Sequence, residues 1–204
     1  MIKRIFFTVL LPLLFLGVVH AQKFEGGFYG GLTASQIDND SYFGFNKLGL
    51  TAGAFIERPI MENLHWQMEV KFTMRGAYKR AMDNDPTIDL SQMSYIEIPL
   101  SVHYLFTDNI QVGLGFSPDV LISQRYEDED GLLNPQSYPA LRSFGINVFG
   151  DVIYWMNEHH GVGIRYTYSA IPFYVFDAAA TRYRYKGYFH NVLQLTYHYQ
   201  FHRP

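Results

Sequence analysis

The sequence predicts an all-β protein: an eight-stranded antiparallel up-and-down transmembrane β-barrel. Three observations predict it. Segments along the chain alternate apolar with polar residues. Four long polar connections alternate with three short turns. A short apolar segment with export features precedes the first strand. The clearest alternation runs from Leu64 to Arg75. Leu64, Trp66, Met68, Val70, Phe72 and Met74 fall on one face, and His65, Gln67, Glu69, Lys71, Thr73 and Arg75 on the other. Successive side chains of a strand point to opposite faces, so this strand has one apolar and one polar side. A membrane barrel turns the apolar side to lipid and the polar side to the lumen. A secreted lipocalin-like barrel would need an apolar lumen instead.

The elements follow in order. Lys3 and Arg4, the apolar run Ile5 to Val19 and the small residues up to Ala21 form a secretory signal peptide, residues 1–21. The apolar run is shorter than the roughly 20 residues of a spanning helix. No Cys follows it, which excludes a lipoprotein anchor, and no disulfide can form anywhere in the chain. Residues 22–204 then form a single barrel domain.

Strand one is Phe24 to Ala34, followed by a polar loop from Gln36 to Phe45. Strand two is Lys47 to Glu57, with Leu48, Leu50, Ala52, Ala54 and Ile56 outward, and Pro59 to Asn63 is a short turn. Strand three is Leu64 to Arg75, and a long loop spans Ala77 to Ser91. Strand four is Tyr95 to Phe106, closed by Thr107-Asp108-Asn109. Strand five is Ile110 to Val120, and the third loop, Gln124 to Leu141, holds the acidic run Glu127 to Asp130. Strand six is Ser143 to Tyr154, with a turn at Asn157 to His160. Strand seven is Gly161 to Ala170, the fourth loop runs from Pro172 to Arg184, and strand eight is Tyr188 to Phe201.

Bacterial outer-membrane barrels have short periplasmic turns and long outer loops. With the N-terminus starting in the periplasm, all four long loops lie outside and both termini lie inside. Aromatics fall near the strand ends, where they serve as girdles: Trp66, Phe106, Tyr154 and Phe201 on the turn side, and Tyr78, Tyr95, Phe116 and Phe189 on the loop side.

The inward set includes Glu69, Lys71, Arg75, Glu97, Asp119, Asp151 and Arg165. Eight strands leave room only for side chains. The charges are therefore expected to pair into a polar network that plugs the lumen, because an unpaired buried charge is costly. The alternative is a narrow passive solute channel. A closed lumen leaves the loops as the working surface. Tyr42, Phe43 and Phe45 in the first and Phe173, Tyr174 and Phe176 in the fourth are expected as exposed aromatics suited to a protein or glycan partner.

Gly30-Gly31-Leu32-Thr33-Ala34-Ser35-Gln36, Asn46 to Gly53, Gln67-Met68-Glu69-Val70-Lys71-Phe72 and Tyr95-Ile96-Glu97-Ile98-Pro99-Leu100 resemble landmarks of the PorT-like outer-membrane β-barrel proteins. The similarity covers the signal peptide and most of the remaining chain. Asp38-Asn39-Asp40 departs from it, lacking the glycine this loop often carries. The resemblance implies a porin-family barrel integral to the outer membrane of a Gram-negative cell. Some members serve protein secretion and gliding machinery, so an accessory role there is implied as well.

Other chemistry is weakly supported. A formal charge of -3 with no basic stripe argues against nucleic acid. His159-His160 sit in a turn without a Cys or carboxylate at ligand spacing. Neither Asp83, Asp85 and Asp89 nor Glu127 to Asp130 has the ligand and glycine spacing of a calcium loop. Outward positions offer no Ser–His pair for a lipid hydrolase, and no Gly-rich phosphate loop occurs. No catalytic residue, metal or cofactor is expected, and the partners are outer-membrane lipid and whatever the loops recognise.

Overall fold

In the computed structural model, the described residues are 24–39, 44–79, 89–128, 130–134, 138, 140–175 and 187–201. The expected signal peptide lies outside them, as do Tyr42, Phe43 and Phe176. Ten strand segments form one antiparallel sheet: β1 (Glu25–Asp38), β2 (Lys47–Met61), β3 (Leu64–Lys79), β4 (Asp89–Glu97), β5 (Leu100–Thr107), β6 (Ile110–Asp128), β7 (Gly131–Leu132), β8 (Phe144–Trp155), β9 (His160–Ser169) and β10 (Phe189–Gln200).

The sheet closes on itself. β1 pairs β2 on one side and β10 on the other, from Gly27↔Gln200 to Asp38↔Phe189. Closure removes the free edges that an open sheet would present. β4 and β5 are two halves of one stave, since both pair with β3 and with β6. The sequence predicts a single strand here. Pro99 splits it because proline has no N–H for the ladder. The stave still runs through, as Glu69 N–H donates to Pro99 O at 2.9 Å and Ile98 N–H to Pro118 O at 3.0 Å. β7 is a two-residue extension paired to the end of β6. The ring therefore has eight staves: β1, β2, β3, β4–β5, β6, β8, β9 and β10.

The predicted alternation sets the two faces. Leu48, Leu50, Val70, Val102, Leu114, Val152, Ile164 and Leu195 are exposed on the outer face of the ring. Glu57, His65, Glu69, Lys71, Arg75, Glu97, His103, Asp119, Asp151, Arg165, His190 and His198 are buried inside it. Lipid, not water, is the solvent that such an outer face suits.

Several boundaries differ from the predicted ones, mostly on the loop side. β1 continues to Asp38, β3 to Lys79 and β6 to Asp128, while β4 begins at Asp89. At 19 residues, β6 is far longer than the roughly 9–11 that cross a bilayer. On this side the ribbon thus runs well beyond the length a bilayer crossing requires. Glu127 and Asp128 of the acidic run belong to the strand rather than to a loop. An irregularity at Ser94/Tyr95, where Ser94 pairs Ser123 and Tyr95 pairs Leu121, leaves Ile122 as an extra residue. A bulge of this kind changes which side chains face inward. The interior also holds more ring surface than the expected polar lumen. Tyr29, Phe55, Ile153 and Trp155 form a buried apolar cluster inside it.

Candidate functional site

The interior divides into three levels: a cavity at each end and a charged septum between them. The septum is built on β3, whose inward positions Glu69, Lys71 and Arg75 all meet partners from other staves. Arg165 on β9 reaches Glu69 with two bonds, Nη1 to Oε2 at 2.9 Å and Nη2 to Oε1 at 2.6 Å. β3 and β9 lie four staves apart in a ring of eight, so this pair spans the full diameter of the lumen. The fork geometry of guanidinium against carboxylate gives it direction as well as strength. Arg165 also holds Asp151 on β8 through Nε at 2.9 Å, and its plane lies over the Phe149 ring at 4.2 Å. Tyr29 Oη at 2.5 Å and Gln67 Nε2 at 2.9 Å donate to Glu69 as well.

The second half of the septum centres on Arg75. It donates to Glu97 at 3.0 Å and to Asn147 Oδ1 at 3.0 Å, and it pairs with Asp119. Asn147 Nδ2 donates to Asp119 at 2.8 Å, and Ser117 Oγ to Glu97 at 3.0 Å. Lys71 Nζ lies 3.0 Å from Glu97 Oε2, which joins Lys71 to this cluster. All seven residues of the expected lumen network thus stand in two clusters, one around Arg165 and one around Arg75. Ionic groups withdrawn from water need this degree of pairing and hydrogen bonding.

Below the septum a hydrogen-bonded relay continues toward the turn side. Trp155 Nε1 donates to Gln111 Oε1 at 2.8 Å, which fixes the amide so that Gln111 Nε2 faces Glu57 at 3.2 Å and His103 Nδ1 at 3.0 Å. His103 Nδ1 then accepts, and its Nε2 side faces Ser101 Oγ at 3.1 Å and Asp151 at 3.5 Å. Gly113 sits against this group, and a Cβ there would run into Asp151 Oδ1 and the His103 ring. A cavity of about 470 Å³ opens below, lined by turn residues including Asn63, Asp108, Asn109 and Asn157.

Above the septum the lining turns apolar. Ile37, Ala77, Met93, Tyr95 and Phe173 form a buried cluster. A second cavity of about 470 Å³ opens there. Two aromatic expectations are corrected here. Phe173 is 7% exposed, stacked on His190 with centroids 4.0 Å apart, and held there as its N–H donates to Tyr188 O at 3.0 Å. Tyr95, 2% exposed, points inward under Arg75 rather than into a lipid girdle. Of the other expected recognition residues, Tyr174 is half-buried against Tyr188, and Phe45 is 38% exposed. Sequence reasoning missed Trp155, Phe149 and Tyr29 as interior residues, although their positions in the alternation place them there.

His159 and His160 do not converge on carboxylates. His159 Nδ1 lies 3.0 Å from Gln200 O, and His160 Nδ1 lies 2.5 Å from the Tyr197 hydroxyl. Among the described residues, no three His, Asp or Glu side chains are grouped as metal ligands would be.

A family model described as an outer membrane protein beta-barrel domain matches residues 20–174. No curated protein matches the sequence. Among solved structures the chain is similar to Ail, the attachment invasion locus protein of Yersinia pestis, at 11% identity and a TM-score of 0.51, covering 88% of this chain and 100% of that one. It is also similar to Neisserial surface protein A, at 14% identity and a TM-score of 0.51, covering 87% of this chain and 97% of that one. At these identities the likeness is one of fold.

Proposed function

Because this chain belongs to the outer membrane protein β-barrel domain family, and is an outer-membrane β-barrel on that ground, we propose that it is a non-enzymatic surface protein that works through its loop end rather than through its lumen. The observation that carries this reading is the Arg165–Glu69 pair spanning the lumen, backed by the Lys71–Glu97–Arg75–Asp119 cluster. A path for solute would have to break both clusters, and each charge released would stand unpaired in a dry interior. The strands that rise past the bilayer on the loop side supply a platform above this septum. Export by a cleaved signal peptide and insertion from the periplasm belong to the same proposal. So does the PorT-like resemblance, which rests on the motif residues of β1 to β4 and would add a place in a secretion or gliding assembly.

The partner is a protein or glycan met at the outer loops. Trimming residues 41–45 tests this. The barrel is expected to fold unchanged, because the trimmed segment lies outside β1 and β2. Recovery of whatever co-purifies from native outer membrane is expected to fall. Undiminished recovery from a correctly folded trimmed barrel contradicts a role for this loop.

A further inference from the structure

We propose that the loop-side cavity is a binding site for a small, uncharged, largely apolar molecule. This deepens the reading above and rests on the septum that closes the cavity's floor.

The size fits. At about 470 Å³ the cavity falls within the roughly 300–1,000 Å³ of small-molecule sites. The lining fits as well. Ile37, Met93, Leu141 and Phe173 give it aliphatic and aromatic wall, and Tyr174 and Tyr188 add stacked phenol rings with centroids 5.7 Å apart. This wall lies at the loop-side end of the barrel, and Ile37, Met93 and Phe173 are packed in it as buried side chains, so a molecule that enters meets apolar surface. The bulge at Ile122 precedes Tyr126, which lines the cavity, and Phe173 is drawn in by its stack on His190. The floor is shut, since Tyr95 lies beneath Met93 with Arg75 packed on its ring at 3.9 Å. A molecule that enters stops there and does not pass.

Charge selects among apolar ligands. The charged residues of the described lining are Asp89 and Glu127, with no Lys or Arg, and Glu127 is already paired with Arg125. A carboxylate ligand would be placed beside the half-buried carboxylates of Asp89 and Glu127. A neutral ligand with a hydroxyl could reach Ser91 or a tyrosine hydroxyl at no such cost.

The test uses the folded protein in lipid nanodiscs with ¹³C-methyl methionine, titrated with 1-naphthol and, separately, with 1-naphthoate. Met93 lines the cavity, while Met68, Met74 and Met156 lie on the outward positions of β3 or beyond β8 and report partition into lipid. The expected result is a saturable shift of the Met93 methyl by naphthol, with the other three changing only in proportion to added probe. Naphthoate is expected to bind at least about tenfold more weakly, as a desolvated charge requires. Leu141→Trp, which fills the cavity from outside the strands, is expected to abolish the Met93 response in a folded barrel. A Met93 shift no different from that of Met68, or equal binding of naphthoate, overturns the proposal. So does a Met93 response that appears only after residues 177–185 are excised, which would make the chain's own loop the occupant. Conductance measured on the same preparation reports on the septum by itself, so failure of the cavity and failure of the closed lumen are told apart.

Discussion

A single charge in this interior carries more than a single charge on its rim. Arg165 serves Glu69 and Asp151 together, both buried, whereas Arg125 and Glu127 pair in partly open surroundings. Removing one partner of a buried pair leaves an uncompensated ion, at a cost of about 3–5 kcal/mol. An exposed pair is worth about 0–1 kcal/mol. Arg165→Met is therefore expected to lower stability by the larger amount and Arg125→Met by the smaller, measured by urea unfolding in liposomes. Equal losses would mean that the septum is solvated. Alternation alone points to Glu69, Lys71, Arg75, Glu97, Asp119, Asp151 and Arg165, because each sits next to an outward apolar neighbour. It says nothing of which charge meets which, since Glu69 and Arg165 are 96 residues apart and meet only when the ring closes. It also fails for Phe173, whose burial depends on the pairing of Phe173 and Tyr174 with Tyr188 rather than on any local pattern.

At the scale of the strand, face assignment is the property to test. Val70 on β3 is 56% exposed on the outer face, and Thr73 is buried against Thr51. Val70→Arg puts a charge into lipid and is expected to cost roughly 2–4 kcal/mol near the midplane. Thr73→Arg instead meets a filled interior and is limited by space and pairing. The folded fraction in liposomes reads both, and a Val70→Arg barrel that folds as well as the parent reverses the parity of β3. The direction of the strands is tested by tags: one at Asp130, beyond β6, is expected to be labelled on intact cells, and one at Asn109, in the turn between β5 and β6, is not. Labelling at Asn109 inverts the topology. Strand cores were legible because lipid on one side and lumen on the other force alternation. The loop-side ends were not. Past the bilayer both faces meet water, so Ser123 to Asp128 loses its pattern although β6 continues, and the bulge at Ile122 breaks the phase.

For the whole molecule, closure replaces the cross-links the chain lacks. With no Cys, the ends are held by the β1–β10 ladder, and the middle by side chains that reach across the ring. Strand number and the rhythm of long and short connections were readable from the sequence, because each stave must start where the last one ended. Filling of the lumen followed from strand number, since eight staves enclose about one layer of side chains. The apolar upper mouth was not readable, as it is assembled from β1, β3, β4, β6 and the segment after β9. The claim at the centre of this account is that the Arg165 and Arg75 clusters close the lumen. Single-molecule recording in planar lipid bilayers tests it most directly. The native protein is expected to give no steady conductance. Reproducible single-channel steps from the native protein that vanish when Arg75 or Arg165 is replaced would contradict it.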